Sequence, residues 1–96
     1  MPKSSRTHPD AVRLGSILQR LRINRGWNLV KMAQRTGMNP TYLGVMEKGG
    51  NMPTIHTLLE LADVFNVSAA DIIRELEEMR KPKPAPTPPP AEPEAE

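Results

Sequence analysis

Between residues 11 and 80, apolar side chains recur at three- and four-residue spacing, and the recurrence is broken at intervals by Gly, Asn, Thr or Ser. That rhythm is the signature of short amphipathic helices, each covering a common core with one stripe. In the first, AVRLGSILQRLRINRG, Leu14, Ile17, Leu18 and Leu21 share a stripe, and Ile23 is a further candidate for it. Asp10 is suited to cap this helix from Ala11, and Gly26 to end it in a left-handed conformation. Asn28 caps a second helix, LVKMAQRT, which Gly37 closes. Asn39 caps a third, PTYLGVMEK, with Pro40 in the first turn, where a missing amide hydrogen costs nothing. Thr54 opens a fourth, IHTLLELADVF, with Ile55, Leu58, Leu61, Ala62 and Phe65 on one side and Asn66 after it. Ser68 opens a fifth, AADIIRELEEMR, whose apolar positions are Ile72, Ile73, Leu76 and Met79. No strand is required, so the expected fold class is all-α.

The ends of the chain break the rhythm. Residues 1–9 carry Lys3, Arg6, His8 and two prolines without periodicity, which predicts a flexible basic arm. Residues 81–96, KPKPAPTPPPAEPEAE, offer no core-forming side chain, which predicts a disordered, partly polyproline II tail. Its acidic residues Glu92, Glu94 and Glu96 suit a solubilising role, with a proline-rich docking motif as the alternative. Residues 10–80 are then the single folding unit.

Composition narrows the classes. The chain has no cysteine, which removes disulfides and thiolate metal sites. No apolar run reaches the ~18 residues of a membrane span, and the N-terminus lacks the apolar stretch of a signal peptide. A cytoplasmic protein is expected. His8 and His56 lack ligand company at metal spacing, and His56 with Glu60 reads as an i, i+4 surface pair. Neither a phosphate-binding loop nor a nucleophile motif is present, so no enzyme, metal or cofactor is expected.

Charge is divided along the chain. Residues 11–50 carry Arg13, Arg20, Arg22, Arg25, Lys31, Arg35 and Lys48 against Glu47 alone. Residues 51–80 are net acidic, with Glu60, Asp63, Asp71, Glu75, Glu77 and Glu78 against Arg74 and Arg80. Such a split predicts one cationic face for a polyanion and one anionic face turned away.

The breakers within AQRTGMNPTYLGVMEKGG, residues 33–50, then acquire a purpose. Two short helices joined at Gly37, with Met32, Leu43 and Met46 inward and small Ala33 at the crossing, form either a plain αα-corner or a helix-turn-helix. Trp27 is placed to cover the junction. The second helix of a helix-turn-helix lies in the major groove of DNA.

Three segments in order, LQRLRINRGW, MAQRTGMNPTYLGVMEKG and PTIHTLLELADVFNVSAADI, give the region 14–73 a wider likeness. It resembles the Cro/CI-type, phage-repressor-like (XRE) helix-turn-helix transcriptional regulators. The resemblance implies a five-helix, lambda-repressor-like DNA-binding domain that binds operator DNA as a homodimer. It matches Arg22 and Glu47 to a structural ion pair between the first helix and the end of the recognition helix. Glu47 is the one acid in the basic half, and such a carboxylate would repel phosphate unless paired internally. Base-reading positions match Pro40, Thr41, Gly44 and Val45, with Tyr42 beside them; phosphate contacts are expected from Asn28, Lys31, Arg35, Asn39, Lys48 and Asn51. One departure stands out: where the family commonly begins the second helix with a phosphate-binding glutamine, this chain has Leu29.

Ile73, Leu76 and Met79, with Val64 adjoining, continue the apolar stripe beyond what four helices cover. They form the expected dimer interface, unless the stripe folds back on the first helix. The functions implied are a repressor of transcription on an inverted repeat or, in competition, an antitoxin-like or adaptor module that meets a regulatory protein partner. A nonspecific nucleoid protein is a third alternative.

Overall fold

Each helix begins where a side chain accepts its first unpaired amide hydrogens, as helix termini require. The computed structural model describes residues 8–80, and five helices occupy them: α1 (Pro9–Asn24), α2 (Leu29–Thr36), α3 (Pro40–Glu47), α4 (Ile55–Phe65) and α5 (Ala69–Arg80). Asn28 Oδ1 accepts from the Lys31 amide at 2.8 Å, Asn39 Oδ1 from the Thr41 amide at 2.7 Å, and Thr54 Oγ1 from the Thr57 amide at 3.1 Å. Ser68 Oγ accepts from the Ala70 amide at 3.1 Å. The fold is all-α, with no strand among the described residues.

The start of α1 corrects the expected cap. His8, not Asp10, is the N-cap: its Nδ1 accepts from the Asp10 amide at 3.0 Å, and Pro9 takes the first helical position. Proline is pre-set for that position, which moves the start two residues upstream of Ala11. Asp10 instead accepts from Arg13 Nη1 at 3.0 Å and pairs with Arg80 Nε at 3.2 Å, tying the first turn of α1 to the last of α5. The expected arm therefore loses its last two residues to the domain. Its remainder, residues 1–7, and the tail expected over residues 81–96 lie outside the described residues.

The core is built from Leu14, Ile17 and Leu18 of α1, Met32 of α2, Leu43 and Met46 of α3, Leu58, Leu61, Ala62 and Phe65 of α4, and Ile72 of α5. Trp27, in the α1–α2 connection, stacks on Phe65 with ring centroids 5.7 Å apart and planes 19° from parallel. Ile55, which periodicity placed inward, and Ile23, a candidate for the same side of its helix, point outward instead. Ile55 is 68% exposed and Ile23 57% exposed, because each sits at a helix end beyond the neighbouring elements.

Helix α1 packs on both α3 and α5, and this fixes α3 against the rest of the fold. At Gly15 the approach to α3 is so close that an added Cβ would stand 2.5 Å from the carbonyl oxygens of both Met46 and Glu47. No side chain fits there.

Candidate nucleic-acid interface

Helices α2 and α3 are joined by three residues, and the geometry of that joint follows from residue chemistry. Gly37 has φ +74°, a left-handed conformation that costs an L-residue with a side chain about 1–2 kcal/mol. Its amide donates to the Ala33 carbonyl at 2.8 Å, closing α2. Thr36 completes the splice: its hydroxyl donates to the Met32 carbonyl at 2.9 Å and accepts from the Met38 amide at 3.1 Å. Asn39 then caps α3 at once. The result is a tight helix-turn-helix with Met32, Leu43 and Met46 buried beneath it.

A bidentate ion pair locks α3 from behind. Arg22 Nε donates to Glu47 Oε2 at 2.7 Å and Nη2 to Oε1 at 3.0 Å, while Nη1 donates to the Trp27 carbonyl at 2.8 Å. The side chains are only 13% and 3% exposed, so the pair sits within the fold. Hydrogen bonding to Glu47 raises the Arg22 pKa, against the opposing effect of burial. One guanidinium thereby joins α1, the α1–α2 connection and the end of α3.

The outer edge of α3 is uncovered. Pro40, Thr41, Tyr42, Val45 and Lys48 are exposed, and Gly44 is partly so. Leu29, Pro40, Thr41, Gly44, Val45 and Lys48 together line a shallow notch on this edge. Leu29, in place of a phosphate-binding amide, is partly buried and packs against the core. A second shallow depression, lined by Gly26, Asn28, Val30, Lys31 and Gln34, flanks the start of α2. Lys31, Arg35 and Lys48 are exposed around these features. Asn28 and Asn39 spend their side-chain oxygens on capping, which leaves their Nδ2 groups as donors. Asn51, between α3 and α4, has its Oδ1 buried without a hydrogen-bond partner among the described residues; a phosphate contact there would come from its Nδ2.

The expected division into one cationic and one anionic face needs correction. Because α5 packs beside α1, Arg20 Nη2 donates to Glu75 Oε1 at 2.8 Å, and within α1 itself Arg13 bonds Asp10 three residues before it. Arg25 donates to the Phe65 carbonyl. Arg35 lies over the Trp27 ring, its Cζ 5.3 Å from the centroid. Lys31 and Lys48 are in no ion pair among the described residues. The positive field thus gathers at α2 and α3 and is neutralised over α1.

On α5, Ile73 and Met79 are 36% and 41% exposed, whereas Leu76 packs partly against the core and Val64 is half-buried. The stripe is divided between the chain's own core and solvent. No helix among the described residues is long and apolar enough to cross a membrane. His56 Nε2 lies 3.3 Å from Glu60 Oε2 on the exposed side of α4.

Comparison with known proteins places this geometry. The helix-turn-helix (HTH_3) family model matches residues 18–72. The chain is 37% identical over 60 residues to the HTH-type transcriptional regulator SutR of Escherichia coli, an alignment covering 62% of this chain and 34% of SutR. It is 34% identical over 65 residues to the uncharacterized HTH-type transcriptional regulator y4dJ of Sinorhizobium fredii, covering 68% of this chain and 84% of that protein. Among solved structures, the restriction-modification controller protein C.AhdI from Aeromonas hydrophila superposes with a TM-score of 0.64 at 25% identity. That superposition covers 68% of this chain and 98% of the controller. A matched family model over more than half its length, with the turn, ion pair and bare α3 edge in place, shows that the chain belongs to the helix-turn-helix family of Cro/CI type.

Proposed function

We propose that the chain is a sequence-specific, double-stranded DNA-binding regulator of transcription, a repressor that grips an inverted-repeat operator as a homodimer. The uncovered outer edge of α3 carries this reading. An eight-residue helix, clamped from behind by Arg22 and bare in front, is free to enter a major groove. Lys31, Arg35 and Lys48 supply phosphate attraction around it, and Asn28 and Asn39 add amide donors. Similarity to proteins named transcriptional regulators supports the same conclusion.

The homodimer rests on α5. Ile73 and Met79 are apolar and exposed, and a second copy related by twofold symmetry would cover them, with Leu76 and Val64 at the border. Two α3 helices would then stand about 34 Å apart, one turn of DNA.

Selection of bound sequences from random DNA tests the reading. One inverted repeat should be enriched, and gel shifts on it should weaken steeply with salt. Absence of binding to any duplex at about 50 mM salt overturns it.

A second reading is a protein-interaction module, antitoxin-like or an adaptor, that uses α5 and binds DNA weakly. It is favoured by the α3 edge itself, where Pro40, Gly44 and Val45 offer no side-chain hydrogen bond to a base. Light scattering and pull-down separate the two: a tight dimer with no further protein partner supports the regulator.

A further inference from the structure

We propose that the notch on the outer edge of α3 receives the C5-methyl group of a pyrimidine, thymine above all, and that this contact is the main direct source of base preference. The proposal rests on the DNA-binding reading and gives it a chemical target.

The walls of the notch are mostly hydrocarbon. The side chains of Leu29, Pro40 and Val45 are hydrocarbon, Thr41 carries a methyl beside its hydroxyl, and Lys48 also lines the notch. Gly44 lines it without a side chain. A Cβ added there would meet Leu29 Cδ1 at 3.4 Å, an ordinary contact, and no other atom from outside its own stretch of helix within 4 Å. The fold's own packing therefore does not require glycine at this position, unlike Gly15. Helix propensity would favour alanine by about 1 kcal/mol. What the glycine leaves is open space that a methyl group would occupy beside Leu29 Cδ1, in a notch that Val45 also lines.

Of the groups that base pairs display in the major groove, only the C5-methyl is apolar; the others are hydrogen-bond donors and acceptors. An amino or carbonyl edge pressed against the Leu29–Gly44–Val45 part of this notch would lose its water without gaining a partner, a loss that disfavours those bases there. A methyl group loses nothing and fills that space. Charge complementarity selects the polymer that brings it: Lys48 borders the notch, and Lys31 and Arg35 flank the same pair of helices, suiting a phosphate-lined groove.

The test uses the full chain and the duplex it enriches from random DNA. Each dT in that duplex is replaced singly by dU, which removes the methyl group and nothing else. At one or two positions per half-site affinity should fall about fourfold, the equivalent of one buried methyl. At those positions 5-methyl-dC should bind better than dC. Gly44→Ala, which favours the helix and fills the same space, should bring the dT/dU ratio to about one. Val45→Thr, which keeps the shape but places a hydroxyl in the wall, should lower the same ratio. Equal affinity for dT and dU at every position overturns the proposal, as does a full methyl effect retained in both variants. Salt-sensitive DNA binding that ignores methyl groups removes the notch alone, whereas binding to no duplex removes the regulator reading with it.

Discussion

Gly15 of α1 lies directly against the end of α3, where an added Cβ would come within 2.5 Å of the Glu47 carbonyl oxygen. Contact this close between two backbones fixes the height of α3 above the core. Gly15→Ala should therefore force the helices apart and destabilise the domain by about 1–3 kcal/mol, as overpacking does. Gly44→Ala, where a methyl has room, should instead stabilise it by about 0.4–1 kcal/mol. Urea unfolding of the two variants checks the opposite signs.

The Arg22–Glu47 pair should behave as a buried one. Glu47→Ala leaves the guanidinium without its carboxylate and should cost about 3–5 kcal/mol, far more than loss of an exposed pair. A double-mutant cycle with Arg22→Met should show a large coupling, because each single change strands a charged group.

Acid should weaken the α1–α5 contact. Hydrogen bonding from Arg20 holds the Glu75 carboxyl below its ordinary value of 4.5, so the folded state takes up this proton less readily than the unfolded chain. The contribution is fully present above about pH 4.5 and disappears as the pH falls through the lower folded value. Side chains 49% and 37% exposed keep it below about 1 kcal/mol. Unfolding of Glu75→Gln against pH should show a shallower acid limb than the unaltered protein.

Salt dependence should count only part of the basic residues. Alanine at Lys31 or Lys48 should lower the slope of log affinity against log salt by about one for each phosphate that the lysine neutralises. Arg20→Ala should leave that slope unchanged, since its guanidinium already holds Glu75. Fluorescence anisotropy at several salt concentrations distinguishes the two outcomes.

Assembly should depend on the exposed part of α5. Ile73→Asp should yield a folded monomer, because Ile73 is 36% exposed and leaves the core intact when changed. Leu76→Asp should also lower thermal stability, since Leu76 packs against the core of its own subunit. Light scattering with circular dichroism reads both effects.

Most of the fold was legible because local chemistry determines helix ends. Asn28, Asn39, Thr54 and Ser68 cap where their side chains predict, and Gly37 takes the left-handed turn its position demands. The exception is at His8, where the fit of Pro9 to a first helical position outweighs the capping preference of the Asp10 carboxylate. The site was legible at the level of its helix and less so in its charges. Arg20 and Arg25 count as cations along the chain, yet tertiary packing sets one against a carboxylate and the other against a carbonyl, while Arg13 pairs locally with Asp10, just outside the basic stretch. Gly15 carried only a weak local signal, a glycine inside a helical stripe without a turn, since only the crossing of α3 makes its missing side chain necessary.

Trp27 is the single tryptophan of the chain, with Phe65 stacked on its ring and the guanidinium of Arg35, from the electropositive α2, close above it. An arginine drawn away to a phosphate would leave that indole in altered surroundings, and its emission would change accordingly. On the DNA-binding reading, the molecule would thus carry an internal optical gauge, readable without any dye, of whether a polyanion has been engaged.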